Sequence, residues 1–173
     1  LTRDEVIEYE EEEEEEEENN QTLEDLFKEE FREEQGPPQE KPRDCYDLGK
    51  RLFKDGKPCE EMFKKAIVLD STFYMAHYYL GKACFEKGDD AEAEKCFNEV
   101  IQLKSDMYMA HYYLGRLHLE KDKLIDAEDN FKKSLLGSPN SSWPHYYLGK
   151  TLLKGEKLRG AEREFKKALE LNS

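Results

Sequence analysis

His77-Tyr78-Tyr79-Leu80-Gly81 returns as His111-Tyr112-Tyr113-Leu114-Gly115 and again as His145-Tyr146-Tyr147-Leu148-Gly149, a period of 34 residues. Other positions keep the same step. Phe97, Phe131 and Phe165 share one phase, Ala93, Ala127 and Ala161 another, and Ile101, Leu135 and Leu169 a third. A divergent fourth copy lies upstream, with Tyr46, Leu48 and Gly49 in its first half and Phe63, Ala66 and Ile67 in its second. It is two residues shorter between them, so its second helix is expected to be shorter.

Within a copy the apolar spacing is helical twice over, as in Tyr78, Gly81, Phe85 and then Ala93, Phe97, Val100, Ile101, around a break of the Lys87-Gly88-Asp89 kind. Each copy therefore predicts a helical hairpin, and the fold class is all-α. Gly81, Gly115 and Gly149 each carry a helix penalty of ~1 kcal/mol relative to alanine. That makes sense where a facing helix packs too close for a side chain, with Ala93, Ala127 and Ala161 as its small partners. One such hairpin cannot bury its own apolar stripe, so stability must come from stacking neighbours into a continuous core.

The Leu-Gly pair, the small residue early in the second helix and the later Phe resemble the tetratricopeptide repeat family, whose pattern recurs every 34 residues. The resemblance covers Pro42 to Ser173. It departs in the histidines, where the family often has Trp, and in the terminal proline, met only as Pro139. It implies a right-handed superhelical solenoid of helix-turn-helix repeats at about 42–73, 74–107, 108–141 and 142–173. The last copy ends at Leu169, Leu171 and Ser173 without a polar capping helix, so an apolar outer face is expected there, to be met by further repeats or by a partner.

In that family the first helix of each pair lines the concave side of the superhelix, where peptides bind. Carried over to this chain, Tyr46, Tyr78, Tyr112 and Tyr146 form one ladder on that face, and Lys50, Lys82, Arg116 and Lys150 form another one turn further on. Trp143, with Met75 and Met109, falls at another groove phase. Such a surface suits a partner segment with carboxylates and apolar side chains. Tyrosine at that phase also serves packing, and lysine there can simply be solvated. The family's clamp for carboxy-terminal peptides needs Asn where this chain has Lys, Arg and Lys, so that clamp is not expected.

The chain carries a net charge of -14, and 39% of its residues are charged. Leu1 to Glu40 holds 19 acidic and 3 basic residues, a net of -16, which leaves +2 for the repeats. Residues 1–21 read as an acidic low-complexity tail with nine consecutive glutamates, Glu10 to Glu18. Residues 22–34 read as a short amphipathic helix opened by Thr22 and presenting Leu23, Leu26, Phe27 and Phe31. Residues 35–41 read as a Pro/Gly linker. Three roles stay open for the tail: a solvating segment, an intramolecular competitor for the groove, or a binder of basic proteins such as histones.

No phosphate loop, nucleophile elbow, paired-carboxylate motif or metal-ligand cluster is present in the sequence, so neither catalysis nor a cofactor is expected. Equivalent histidines His77, His111 and His145 would stand ~8–10 Å apart in stacked helices, too far to share one metal, and are expected to pack near the helix-pair junction. His118 shares the phase of Cys84 and Leu152 and reads as a core or half-buried site. An acidic chain disfavours nucleic-acid binding. No apolar run approaches the ~20 residues that span a bilayer. Cys45, Cys59, Cys84 and Cys96 lack CxxC spacing, which points to a reducing compartment, cytosol or nucleus, with ciliary assemblies among the settings of such scaffolds. The chain opens with Leu1, so residues are expected upstream. Two functions follow: a scaffold whose groove holds a partner protein, or an acidic-tail chaperone that shields basic proteins.

Overall fold

The computed structural model describes residues 40–172. They fold into eight α-helices, with no strand among the described residues: α1 Pro42–Lys54, α2 Glu60–Leu69, α3 Tyr74–Lys87, α4 Asp90–Leu103, α5 Tyr108–Glu120, α6 Leu124–Gly137, α7 Ser142–Lys154 and α8 Leu158–Leu171. The acidic run, the segment 22–34 with Leu23, Leu26, Phe27 and Phe31, and most of the linker lie outside the described residues. Helix α2 has 10 residues where α4, α6 and α8 have 14, following the shortening of the first copy. Among the described residues no helix is long and apolar enough to cross a membrane.

Four hairpins, α1–α2, α3–α4, α5–α6 and α7–α8, pack in sequence order, and first helices of neighbouring pairs also meet, α1 with α3 and α5 with α7. The turn inside each hairpin is the same. A left-handed residue stands at Gly56, Gly88, Asp122 and Glu156, with φ of 65°, 81°, 58° and 59°. The next amide then donates back to the helix: Lys57 to Leu52, Asp89 to Cys84, Lys123 to His118 and Lys157 to Leu152, all at 2.8–2.9 Å. This six-to-one bond satisfies a carbonyl that the helix end would otherwise leave unpaired. Asp89 adds a side-chain cap, accepting from the Glu92 amide at 3.3 Å.

The helical glycines face an aromatic ring rather than a helix backbone. A Cβ on Gly49, Gly81, Gly115 or Gly149 would lie 2.6, 2.9, 2.6 or 2.7 Å from Cε1 of Phe63, Phe97, Phe131 or Phe165. Each hairpin is therefore closed by a phenylalanine set into the notch of the facing helix. The same ring also takes a tyrosine from the next hairpin. Tyr79 stacks on Phe63 at 5.8 Å, Tyr113 on Phe97 at 5.0 Å and Tyr147 on Phe131 at 5.9 Å. Alternation of intra- and inter-repeat contacts through one ring makes the core continuous.

The histidines make hydrogen bonds, mostly between the two helices of one hairpin or to the loop that precedes it. His111 Nδ1 meets the Asn130 side chain at 3.2 Å. His145 Nδ1 meets Glu164 at 2.8 Å and its Nε2 meets the Pro139 carbonyl at 3.1 Å. His77 reaches only the Ser71 carbonyl, at 3.1 Å. His118 is half-buried between Asn130, at 3.3 Å, and Glu94, at 3.6 Å. Outside the core, Glu60, Glu94 and Glu128 occupy one phase and pair across the hairpin boundary with Lys87, Lys121 and Lys157, the last two at 2.6 and 2.7 Å. All four cysteines are buried and free, and burial pushes the Cys59 and Cys96 thiols up to about 11 and about 12.

Candidate partner-binding groove

The first helices α1, α3, α5 and α7 each carry a tyrosine with a cation four residues later, one turn apart on the same side. Tyr46, Tyr78 and Tyr112 are only 2%, 3% and 4% exposed, against 41% for Tyr146. The first three rings thus belong to the core and offer no contact area to a partner, contrary to the expectation from the ladder. The cause lies in the second tyrosine of the following repeat. Tyr79 meets Tyr46 edge-on at 5.6 Å, Tyr113 meets Tyr78 at 6.1 Å and Tyr147 meets Tyr112 at 5.7 Å. Tyr146 has no such neighbour among the described residues.

The cations rest on these rings. Lys50 Nζ is 5.5 Å from the centroids of both Tyr46 and Tyr79. Lys82 sits over Phe53, Tyr78 and Tyr79 at 5.4–5.7 Å and is only 6% exposed, so it too is part of the packing. The Arg116 guanidinium lies 4.5 Å from Phe85 of the preceding repeat and 5.0 Å from Tyr147 of the following one. Lys150 lies 5.3 Å from Tyr147 and is exposed. Each cation–ring contact contributes about 0.5–2 kcal/mol, rising with desolvation. The rows expected to lie side by side are instead interleaved, ring upon cation upon ring.

Between α5 and α7 this arrangement opens a hollow of about 340 Å³ lined by Arg116, Leu119, Glu120, Tyr147, Lys150, Leu153 and Lys154. Lys154 is paired with Asp122 at 2.9 Å. Arg116 and Lys150 have no carboxylate partner among the described residues, and Arg116 Nε is buried without a hydrogen bond. Burial works against the charge on Arg116, but its interactions with Tyr112, Tyr147 and Tyr113 more than offset this and leave its pKa raised. Burial also drives the Tyr112 phenol far above its ordinary value, with Arg116 opposing, so that phenol stays neutral. The hollow thus offers two cationic groups beside an apolar wall of Leu119, Leu153 and Tyr147. Trp143 is half-buried against Tyr146 and Tyr147, both at 6.3 Å. Met75 and Met109 pack on the core.

Tyr79, Tyr113, Tyr147, Phe53 and Phe85 escaped the sequence reading as structural partners of the groove. One signal for the tyrosines was present. The first copy, which has no preceding copy to stack on, carries Asp47 at their phase. Among the described residues no three His, Cys, Asp or Glu side chains converge on a point that could hold a metal.

Four like hairpins joined by a shared ring ladder define a solenoid of the class that serves as protein-interaction scaffolding. The tetratricopeptide repeat model matches residues 74–106. With their period, their glycine-phenylalanine notches and their eight helices, the described residues form a tetratricopeptide-type repeat array. A crystal structure of MamA is similar over 76% of this chain and 78% of that one, with 29% identity and a TM-score of 0.70. MamA from Desulfovibrio magneticus RS-1 gives a TM-score of 0.71 at 21% identity, covering 77% and 76% of the two chains. A chain of the APC/C hetero-tetramer Cut9-Hcn1 gives 0.70 at 17% identity, covering 76% of this chain and 26% of its own. The last two likenesses concern the fold alone. No curated protein matches the sequence.

Proposed function

We propose that the array is a scaffold that binds a segment of a partner protein along the side of its first helices, and that the segment carries carboxylates flanked by apolar side chains. The observation that carries this reading is the hollow between α5 and α7, where Arg116 and Lys150 have no carboxylate ion-pair partner among the described residues and stand beside Leu119, Leu153 and Tyr147. Held on ring faces, these cations lose little side-chain entropy on pairing. An entering carboxylate would meet Lys150 and the Arg116 side, and an apolar neighbour would cover Leu153, which is exposed. Glu120 on the rim selects against a purely acidic ligand and favours one with alternating character.

The test uses fluorescence anisotropy with labelled peptides in which glutamate alternates with leucine, and the same peptides with lysine for glutamate. The acidic set should bind, and Lys150→Glu should weaken it roughly tenfold or more while the circular dichroism melt stays in place, because Lys150 is exposed. Lys82 is unsuitable for this purpose, being part of the core. Equal binding of both peptide sets, or indifference to Lys150→Glu, would reject the reading.

A further inference from the structure

Three aliphatic side chains stand in solvent on the second helices of the first two hairpins. Val68 and Leu69, at the end of α2, are 85% and 46% exposed, and Leu103, at the equivalent end of α4, is 40% exposed. Their exposure does not depend on how far the stack runs. Helix α4 has a hairpin on either side, yet Leu103 and its neighbour Gln102 are exposed, as are Leu136 and Gly137 at the same two positions of α6. Stacking therefore leaves this edge open in every repeat, where polar residues would be the ordinary choice. Leu69 and Leu103 recur 34 residues apart on the edges of neighbouring hairpins, with Val68 beside the first. Contiguous apolar residues in such a place mark an interaction surface.

The chain enters the array beside this patch. Glu40, the first described residue, places both carboxylate oxygens 2.8 Å from Lys65 Nζ. Lys65 stands three and four positions before Val68 and Leu69, on the same side of α2 and about one turn, ~5.4 Å, away. Residues 35–39 can bridge ~16 Å when extended at ~3.1 Å per residue, so residues 22–34 are tethered within reach. Their sequence complements the patch. Leu23, Leu26, Phe27 and Phe31 fall at helical spacing, and the same stretch carries six acidic residues against two basic ones. On the array, Lys64, Lys65 and Lys104 rim the aliphatic side chains. Lys64 reaches Glu61 at 3.4 Å and Lys104 lies over the Tyr74 ring at 4.7 Å. Asp70 is turned to Thr72 at 2.7 Å, and Glu99 stands one turn before Leu103. Exposed contacts of this kind are weak enough for an incoming carboxylate to take over the lysines.

We infer that residues 22–34 of this chain dock on Val68, Leu69 and Leu103, with Leu23, Leu26, Phe27 and Phe31 over the aliphatic side chains and the segment's carboxylates towards Lys64, Lys65 and Lys104. Charge attraction alone is screened beyond ~8 Å at physiological salt, so the apolar cover is what holds the segment. Tethering favours this occupant over a separate protein. A short linker presents the segment at an effective concentration on the order of mM, whereas a partner must bind from solution. Two copies meeting patch to patch would set Lys64 and Lys65 of one against the same lysines of the other. The surface belongs to second helices, whereas the hollow is lined by α5 and α7, so docking leaves the groove open to its partner.

The test uses the full chain with the photoreactive benzoylphenylalanine in place of Phe27, irradiated in dilute solution and mapped by mass spectrometry after digestion. Crosslinks within one chain to residues 64–69 and to the end of α4 are expected. Their yield should fall at least tenfold in Val68→Glu combined with Leu103→Glu, both exposed sites, while the circular dichroism melt stays in place. Ile125→Glu, at an exposed site on α6 away from the patch, should leave the yield unchanged. Should the double variant melt early, Phe31→Ser makes the same test from the segment's side, with the same loss expected. Absence of crosslinks to α2 and α4, crosslinks only between chains, or a yield indifferent to these changes overturns the inference. So do crosslinks to Arg116 or Lys150, which would put the segment in the hollow and leave the proposed function standing.

Discussion

Tyr113 lies on Phe97 with ring centroids 5.0 Å apart and planes 6° from parallel, joining the second hairpin to the third. The same Phe97 ring also fills the notch at Gly81. One side chain therefore carries both the closure of a hairpin and its attachment to the next.

Tyr113→Ala removes the attachment and leaves a void, which for a buried aromatic costs about 3–5 kcal/mol. Because each repeat touches only its neighbours, the loss should also split the array, and urea unfolding followed by circular dichroism should change from one transition to two. Tyr146→Ala is chemically the same change at an exposed ring and should cost about 1 kcal/mol or less. Similar losses at the two sites would contradict the coupling described.

The contrast between these tyrosines marks where sequence reading stops. The hairpins, their number and the short α2 were legible in the 34-residue period, because helical spacing and break residues are local. Burial of Tyr46, Tyr78 and Tyr112 was not, since adjacent tyrosines in a helix differ by about 100° and spacing alone does not say which of them meets the neighbouring repeat. Asp47 carried that information only by exception. The cation row was legible as a row but not as packing. Lys82 is covered by Phe53, a residue of a different repeat.

Gly115→Ala raises helix propensity by ~1 kcal/mol yet drives a methyl to within 2.6 Å of Phe131, a ring fully enclosed by its neighbours. Overpacking of this kind costs about 1–3 kcal/mol, so the net change should be destabilising. Gly149→Ala makes the same clash with Phe165, at 2.7 Å, but that ring is free on one side and can tilt away. Its cost should be visibly smaller. Paired urea midpoints read the difference, and equal midpoints would mean that ring enclosure plays no part.

Glu156 holds φ of 59° in a turn where two sister positions carry Gly56 and Gly88. A residue with a Cβ in this region costs about 1–2 kcal/mol, which glycine does not. Set against the greater freedom of glycine in the unfolded chain, Glu156→Gly should stabilise by about 0.5–1 kcal/mol. Glu156→Val should destabilise, since a β-branched side chain tolerates left-handed backbone worse. Thermal melts of the two variants should move in opposite directions, and movement in the same direction would refute the strain argument.

Acid should act on the hairpin boundaries through Glu94 and Glu128. Lys121 first, with His118 helping against burial, holds the Glu94 carboxyl below its usual range; Lys132 and then Lys157 do so for Glu128. A group whose folded pKa is depressed stabilises the fold fully above its unfolded value of about 4.3 and loses that contribution as pH falls through the folded value. Stability from these pairs should thus hold between about pH 7 and pH 5 and decline below about pH 4.3. Pairs this exposed contribute only ~0–1 kcal/mol each. Glu94→Gln should accordingly lower the urea midpoint slightly at neutral pH and leave it unchanged near pH 2, where wild type has lost the same interaction. About 1 M salt should shrink the neutral-pH gap by screening. A gap that persists unchanged in acid would assign the effect of Glu94 to packing rather than to charge.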